Sequence, residues 1–362
     1  MQSEIHIVLI WEKGLSKLDS ILYDLKDSFR ILDVIEMTWS PEFFSNNLSR
    51  FYGEKLPDKS FKEKHCGKGP FVCIILEDSD PIYRERKTSK GRLLVNNSLF
   101  DKKNLYRNWT GGGHKVHTSN NIEEARHDIF FLFDKSIQEY EKIDSWSGEI
   151  RKINKNIRGY DGWKDFDNFF SFINESSNYL ILRNYNNFES MDIENVDIDF
   201  LTSDKDFMHH INGTKKHNDK NRVAYTIKVG GKKYSADVRF LSDNYYDFKW
   251  GQHMLDSKIR YESFFIPDPV NEFYSLLYHS LIHKNELSDK YSDQLLSLSE
   301  NIDLDIDRSC LLDRGLLIDV LKNFLAEKQY NIVRPDDFSV QYNYGHKGLK
   351  RLIWEFVGKI KK

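Results

Sequence analysis

Cysteine is scarce, neither sign of charge is in excess and no apolar run is long, and each shortage removes a class of protein. The three cysteines, Cys66, Cys73 and Cys310, have no metal-ligand spacing and read as free thiols of a reducing compartment. With 53 Lys+Arg against 56 Asp+Glu and a formal net charge of -3, no global field draws the chain to nucleic acid or to an anionic membrane. A polyanion site would have to be local. No apolar stretch approaches the ~20 residues of a membrane helix. The opening MQSEIHIVLIWEKG carries Glu4 before its apolar run and no small-residue cleavage site after it, which makes it a strand rather than a signal peptide. The expectation is a soluble, cytoplasmic chain in which the sequons at Asn96 and Asn108 play no part. There is no repeat and no low-complexity array.

Apolar and aromatic material is plentiful. Hydrophobic residues make up 40% of 362 positions and aromatics 14%, which requires a folded chain. That length exceeds what one core usually serves, so two domains are expected. Over residues 1–135 the pattern alternates strand and helix: Ile5 to Trp11, a helix over 17–28, Phe29 to Trp39, a helix opened by Ser40-Pro41, the strand FVCIIL, and a helix capped at Asn120-Asn121. This order predicts a ferredoxin-like α+β sandwich. Residues 136–170 are charged and read as a helical connector. A β-rich unit is expected over 171–270, with a hairpin at Gly230-Gly231, and a helical C-terminal part over 271–362.

Within the first region, GGGHKVHTSNN leads into a helix. A glycine turn at a helix N-terminus suits phosphate, because free N–H groups and the helix dipole face the anion. A histidine there can attack a phosphoryl group if a neighbour fixes its tautomer. The run from His117 through Ser119, Glu124, Ala125 and Asp128 to Phe133 resembles the nucleoside diphosphate kinase signature HGSDS-x-E-x-A-x-x-EI-x-x-F. The resemblance extends backward through Phe51-Tyr52-Gly53 and GPFVCIILE to HIVLIWEKG. It implies His117 as the phosphorylated histidine, Ser119 and Asp128 as its supporting hydroxyl and carboxylate, and Tyr52, Arg92 and Arg107 as nucleotide contacts. His114 joins that set in the place of an asparagine. The chain departs from the pattern at Trp11, which stands for a phosphate-binding lysine with Lys13 displaced, and at Thr118 and Asn120.

A second constellation lies in VDIDFL. Strand alternation puts Asp197 and Asp199 on one face, and Asp237 sits in a later strand that can pair beside it. Three strand carboxylates make an oxygen-rich site for Mg²⁺. The order resembles the DNA polymerase β-like nucleotidyltransferase superfamily, which implies Asp197, Asp199 and Asp237 as metal ligands, with Asp237 also able to help deprotonate the acceptor. The family's Gly-Ser is replaced by Leu182-Arg183-Asn184, where Arg183 is the candidate phosphate contact.

Lys215, Lys216, Lys220, Arg222, Lys228, Lys232 and Lys233 read as a solvated hairpin face, His279 and His283 as core histidines, and KGLKRLIWEFVGKIKK as an amphipathic helix with solvated lysines. The expected function is Mg²⁺-dependent nucleotidyl or phosphoryl transfer from a nucleotide to a small acceptor such as a sugar or polyol phosphate for surface polysaccharide. The alternatives are a non-catalytic nucleotide-binding or assembly protein built from two degenerate folds, and phosphohistidine chemistry at His117. Partners would be the nucleotide and the acceptor, not nucleic acid, with a homo-oligomer open.

Overall fold

The structure is a computed structural model that describes residues 3–56, 60–88, 91–185, 197–219, 221–284 and 286–344. The chain divides into two compact units. The first is Met1–Lys164 with His209–Asn212, and the second is Asp165–Met208 with Gly213–Lys362. Both mix helices with sheet, so the class is α+β.

In the first unit, β1 (Glu4–Ile10), α1 (Leu18–Lys26), β2 (Arg30–Thr38), α2 (Phe44–Tyr52), α3 (Phe61–Cys66) and β3 (Phe71–Asp78) follow in order. A hairpin of β4 (Tyr83–Thr88) and β5 (Gly91–Asn96) then leads to α4 (Asn97–Trp109), β6 (Val116–Thr118), α5 (Ile122–Phe133) and β7 (Arg151–Asn154). The strands lie in the order β6-β1-β3-β2-β7. The first four are antiparallel neighbours in the ferredoxin-like arrangement, and β7 adds in parallel to β2. EIHIVLI and FVCIIL are apolar almost throughout because β1 and β3 are central and covered on both faces. One face packs Val8, Ile10, Val72 and Ile74 against Leu22 and Leu25 of α1 and Leu99 and Tyr106 of α4. At the sheet's end, Trp11 and Trp39 close on Phe71 with ring centroids 4.5 and 4.8 Å away.

The segment expected as a helical connector is different in the structure. It holds one short turn at Ile137–Glu139 and then β7, whose Arg151 pairs with Asp33 of β2, and a longer helix opens only at Phe166. RKIN offers no apolar alternation, because an edge strand of four exposed or half-buried residues does not need one.

His209–Asn212 belongs to the first unit through specific bonds. Arg50, 1% exposed, donates to the carbonyls of His209, His210, Ile157 and Arg158. Trp163 Nε1 donates to the Ile211 carbonyl at 2.9 Å. Burial pulls the Arg50 guanidinium down to about 9, the cost of holding a cation away from water.

The second unit begins with α6 (Phe166–Ser176), β8 (Tyr179–Arg183) and β9 (Asp197–Thr202), followed by the single turn α7 (Phe207–His210), whose last two residues belong to the first unit. Then come β10 (Thr214–Lys215), β11 (Ala224–Val229) and β12 (Lys232–Phe240). The sheet order is β10-β11-β12-β9-β8, with β12 and β9 parallel and the other pairs antiparallel. Gly230 and Gly231 take φ of 56° and 78°, the left-handed pair that a two-residue hairpin turn demands. After α8 (Phe248–Asp256) and a hairpin of β13 (Ile259–Tyr261) and β14 (Phe264–Ile266) come α9 (Pro269–Tyr278), α10 (Asp289–Glu300), α11 (Arg308–Leu312) and α12 (Arg314–Glu327). These helices share one core with Leu180, Leu182 and Leu201 of the sheet. The boundary expected at 271 therefore falls inside a single packed body. No described helix is long and apolar enough to cross a membrane. The basic helix expected over 347–362 lies outside the described residues, as does Lys220.

Candidate functional sites

In the first unit, β6 pairs His117 with Leu9 of β1. The α5 helix, capped by Asn121 through the Glu124 N–H, brings Asp128 beneath it. His117 Nε2 and Asp128 Oδ2 lie 2.7 Å apart, and both residues are buried. His127 Nδ1 takes the other oxygen of Asp128 at 3.1 Å. Burial opposes the Asp128 charge, but attraction and hydrogen bonding from His117, then His127, outweigh it and hold the carboxyl below the ordinary range. The acid is held in its ionised form, so Nε2 donates to it and Nδ1 carries the lone pair.

Aromatic rings enclose that imidazole. Phe51 and Tyr52 meet it edge-on at 5.5 and 5.7 Å, and Trp11 donates to the Tyr52 hydroxyl at 3.1 Å. Burial pushes that hydroxyl well above its ordinary value. Around the rings stand bases. Lys62 Nζ lies 4.0 Å over the Tyr52 ring, and Arg107 donates to the Val116 carbonyl at 3.0 Å with no carboxylate partner among the described residues. The His114 N–H donates to His65 Nδ1 at 3.3 Å. Burial, then the charges of Arg107, Lys62 and His65, lowers the His114 imidazole. Gly113, at φ +81°, makes room for this pair, since a Cβ there would come within 2.6 Å of His65 Nδ1.

Two expected members stand elsewhere. β6 ends at Thr118, past which strand alternation no longer holds. The Ser119 hydroxyl is taken instead by His6 Nδ1 at 3.1 Å and by the Ile7 N–H at 3.2 Å. Arg92 is exposed on the β4–β5 hairpin and faces Glu85 at 4.0 Å. Lys13 donates to the Lys64 carbonyl at 2.9 Å. Conversely, the sequence reading missed Lys103, which donates to Asn120 Oδ1 at 2.8 Å. Its ammonium is pulled down to about 8, chiefly by burial and against the nearby charges of Glu124 and Asp128. Lys103 lies on α4 and His117 on β6, so no periodicity within one element links them and no local signal marks the lysine.

Among the described residues, His117, Glu124 and Asp128 place ligand atoms within 4.8 Å of one another, the spacing one cation needs. Each is already engaged: Glu124 accepts from the Asn120 N–H at 2.7 Å, and the other two hold each other.

In the second unit, Asp199 of β9 stands beside Asp237 of β12 in parallel register, and Asp197 beside Ser235. Each carboxylate has its own cation. Arg183, placed opposite Asp199 across a bulge in β8, reaches it at 3.0 Å with both side chains buried. Burial opposes the Arg183 charge and the Asp199 carboxylate overcomes it, holding the guanidinium above its ordinary value. Arg239 meets Asp237 at 3.4 Å and Asp337 at 3.5 Å. Lys216 faces Asp197 at 3.8 Å. Burial raises Asp237, Arg239 pulls it back, and Asp199 and Asp197 push it up again. Mg²⁺ binds open oxygens in near-octahedral array. Here it would compete with two arginines for the same atoms, so the arrangement as it stands does not fit the ion.

The Arg183 fork also reaches the Tyr245 hydroxyl at 3.1 Å, which lies 2.7 Å from His279 Nδ1. His279–His283 forms a π-helical turn continuing α9. Arg239 was missed by sequence reading, although its i,i+2 spacing from Asp237 puts both on one strand face. Asp337, 98 positions further on, gives no local signal.

No protein-family model and no curated protein matches the chain. Among solved structures it is similar to the Aquifex aeolicus nucleoside diphosphate kinase, at 19% identity over 36% of this chain and 95% of that one, with a TM-score of 0.26. It is similar also to a nucleoside diphosphate kinase family protein from Babesia bovis, at 14% identity over 40% of this chain and 94% of that one, with a TM-score of 0.24. Likeness at these levels assigns neither family nor activity.

Proposed function

We propose that the first unit binds a nucleotide by its phosphates and that His117 accepts the terminal phosphoryl group. The observation that carries this reading is the buried 2.7 Å contact of His117 Nε2 with an ionised Asp128. It leaves Nδ1 as the nucleophile. Nδ1 attacks the terminal phosphorus, a P–N bond forms, the bond to the bridging oxygen breaks, and the nucleoside diphosphate departs with the electron pair. The Asp128 carboxylate balances the positive charge that develops on the ring. The Arg107 guanidinium supplies a positive charge for the phosphates, with Lys62, paired to Glu54 at 3.1 Å, near it. The phosphoryl group then passes to a small acceptor, for which a sugar or polyol phosphate is the chemical class proposed.

Nucleotidyl transfer in the second unit is a second reading, favoured by the register that sets Asp199 beside Asp237. It requires Arg183 and Arg239 to release their carboxylates when nucleotide and Mg²⁺ arrive together. One experiment addresses both. With γ-labelled nucleoside triphosphate, the first reading expects an acid-labile, base-stable phosphoprotein that His117→Ala abolishes. Label persisting on that variant defeats it. With α-labelled nucleotide and Mg²⁺, the second expects label on an added acceptor, lost in Asp237→Asn, and no transfer by the unaltered protein defeats it.

A further inference from the structure

Asp128 is 3% exposed, so its carboxylate depends on neighbouring side chains for hydrogen bonds rather than on solvent. Both oxygens of a buried carboxylate need donors. His117 Nε2 meets Oδ2 at 2.7 Å, and His127, one residue before the acid on α5, turns its Nδ1 to Oδ1 at 3.1 Å. The nearby ammonium of Lys103 bonds Asn120 Oδ1 instead. The proposed nucleophile and a second histidine therefore share one acid.

The ring of that second histidine is itself held. His127 stacks on Phe131, one helical turn further along α5, with centroids 4.3 Å apart and planes inclined by 28°. Its Nε2 lies 3.3 Å from Nε2 of His210. The His210 ring meets Phe131 edge-on at 5.1 Å, and the His210 carbonyl takes an N–H of Arg50 at 3.0 Å. His117, Asp128, His127 and His210 thus form a continuous polar chain inside the first unit, drawn from β6, α5 and the His209–Asn212 segment.

Such a chain fixes protons as well as rings. An ionised carboxylate only accepts, so each nitrogen that faces Asp128 carries its proton, Nε2 on His117 and Nδ1 on His127. Without the His127 donor, Oδ1 would be buried with no partner, which drives a carboxyl toward its neutral form. A neutral carboxyl donates. Turned on Nε2, its O–H places the His117 proton on Nδ1 and removes the lone pair that an attack requires.

We propose that His127 is a positioning residue for His117: through the second oxygen of Asp128, from a ring held by His210 and Phe131, it keeps the His117 proton on Nε2 and the lone pair on Nδ1. The inference rests on the reading of His117 as the nucleophile, but its first readout needs no phosphoryl transfer. That readout is the nitrogen NMR spectrum of the labelled imidazoles in the full chain without nucleotide, with His117 assigned by its loss in His117→Ala. The expected result is His117 protonated on Nε2 in the unaltered protein and shifted toward the Nδ1 tautomer in His127→Phe, which keeps a ring against Phe131 and removes both nitrogens. His127→Asn returns an amide N–H near the Nδ1 position and is expected to restore the first pattern. His127→Gln, whose amide reaches the Nε2 position, is not.

Single-turnover labelling with γ-labelled nucleoside triphosphate should follow the same order. His127→Phe is expected to slow phosphoryl transfer by about tenfold or more, with nucleotide affinity unchanged, and His127→Asn to recover most of the rate. An unchanged His117 tautomer in His127→Phe overturns the proposal, as does an unchanged labelling rate in a protein that takes label. If the unaltered protein takes no label, the phosphorylation reading fails and the tautomer comparison still decides this one. Should His127→Phe not fold, the comparison of His127→Asn with His127→Gln carries the test, and identical tautomers in those two variants overturn the proposal.

Discussion

Two sets of carboxylates in this chain look alike in sequence and differ in structure. Asp128 faces two imidazoles and leaves Nδ1 of one of them, His117, outside the contact. Asp199 and Asp237 face arginines, and each pair is closed by further contacts to Tyr245 or Asp337. An acid that orients a base keeps the site reactive. An acid matched to a permanent cation is spent on holding the strands together, unless a ligand displaces its partner. Reactivity is therefore decided by the partner, and the partner is the part that spacing along a chain does not specify.

Removing the acid should separate the two sets. Asp128→Asn keeps the shape around His117 but offers Nε2 an uncharged partner that no longer balances the developing charge. Phosphoprotein formation from γ-labelled nucleotide is expected to slow by about two to four orders of magnitude, measured by quenched-flow labelling, with the fold intact by circular dichroism. Unchanged labelling would place Asp128 among the structural acids.

The next largest effect is expected in stability. Arg183→Met strands a buried Asp199 carboxylate and should cost about 3–5 kcal/mol in denaturant unfolding. The double change Arg183→Met with Asp199→Leu removes both charges and is expected to recover most of the loss. No recovery would show that Arg183 acts through something other than its acid.

The smallest effect is a slope. Lys103 has a folded-state value of about 8 against an ordinary 10.5. Between those values the unfolded chain holds a proton that the folded one has released, so stability contributed at this position rises with pH from about 8 to 10.5. Below about 8 both states are protonated and the buried ammonium remains a cost. Lys103→Met is expected to flatten that rise in thermal midpoints across the same range, and an unchanged slope would contradict the assigned burial.

Much of this architecture is legible in the residues. EIHIVLI and FVCIIL announce central strands because burial on both faces permits an unbroken apolar run. Gly230-Gly231 announces its hairpin because both positions need left-handed φ. That Asp128 stands by His117 was implied by the signature the run resembles, not by spacing alone, and the two atoms lie 2.7 Å apart. RKIN was opaque for the opposite reason: an exposed edge strand carries no pattern. Arg183 was expected as a phosphate contact, and its pairing with Asp199 was not legible, because the bulge between Ile181 and Arg183 sets which residue faces the acid.

The Arg50 clamp has a practical consequence for dissecting the molecule. Of four carbonyls it binds among the described residues, those of His209 and His210 come from beyond residue 164, and so does the Ile211 carbonyl that Trp163 uses. A chain ended after Lys164 would keep every strand of the first sheet yet take from a buried guanidinium the His209 and His210 acceptors. The two halves of this gene product are thus not separable by a single stop codon, and the proposed histidine chemistry is best assayed in the intact polypeptide.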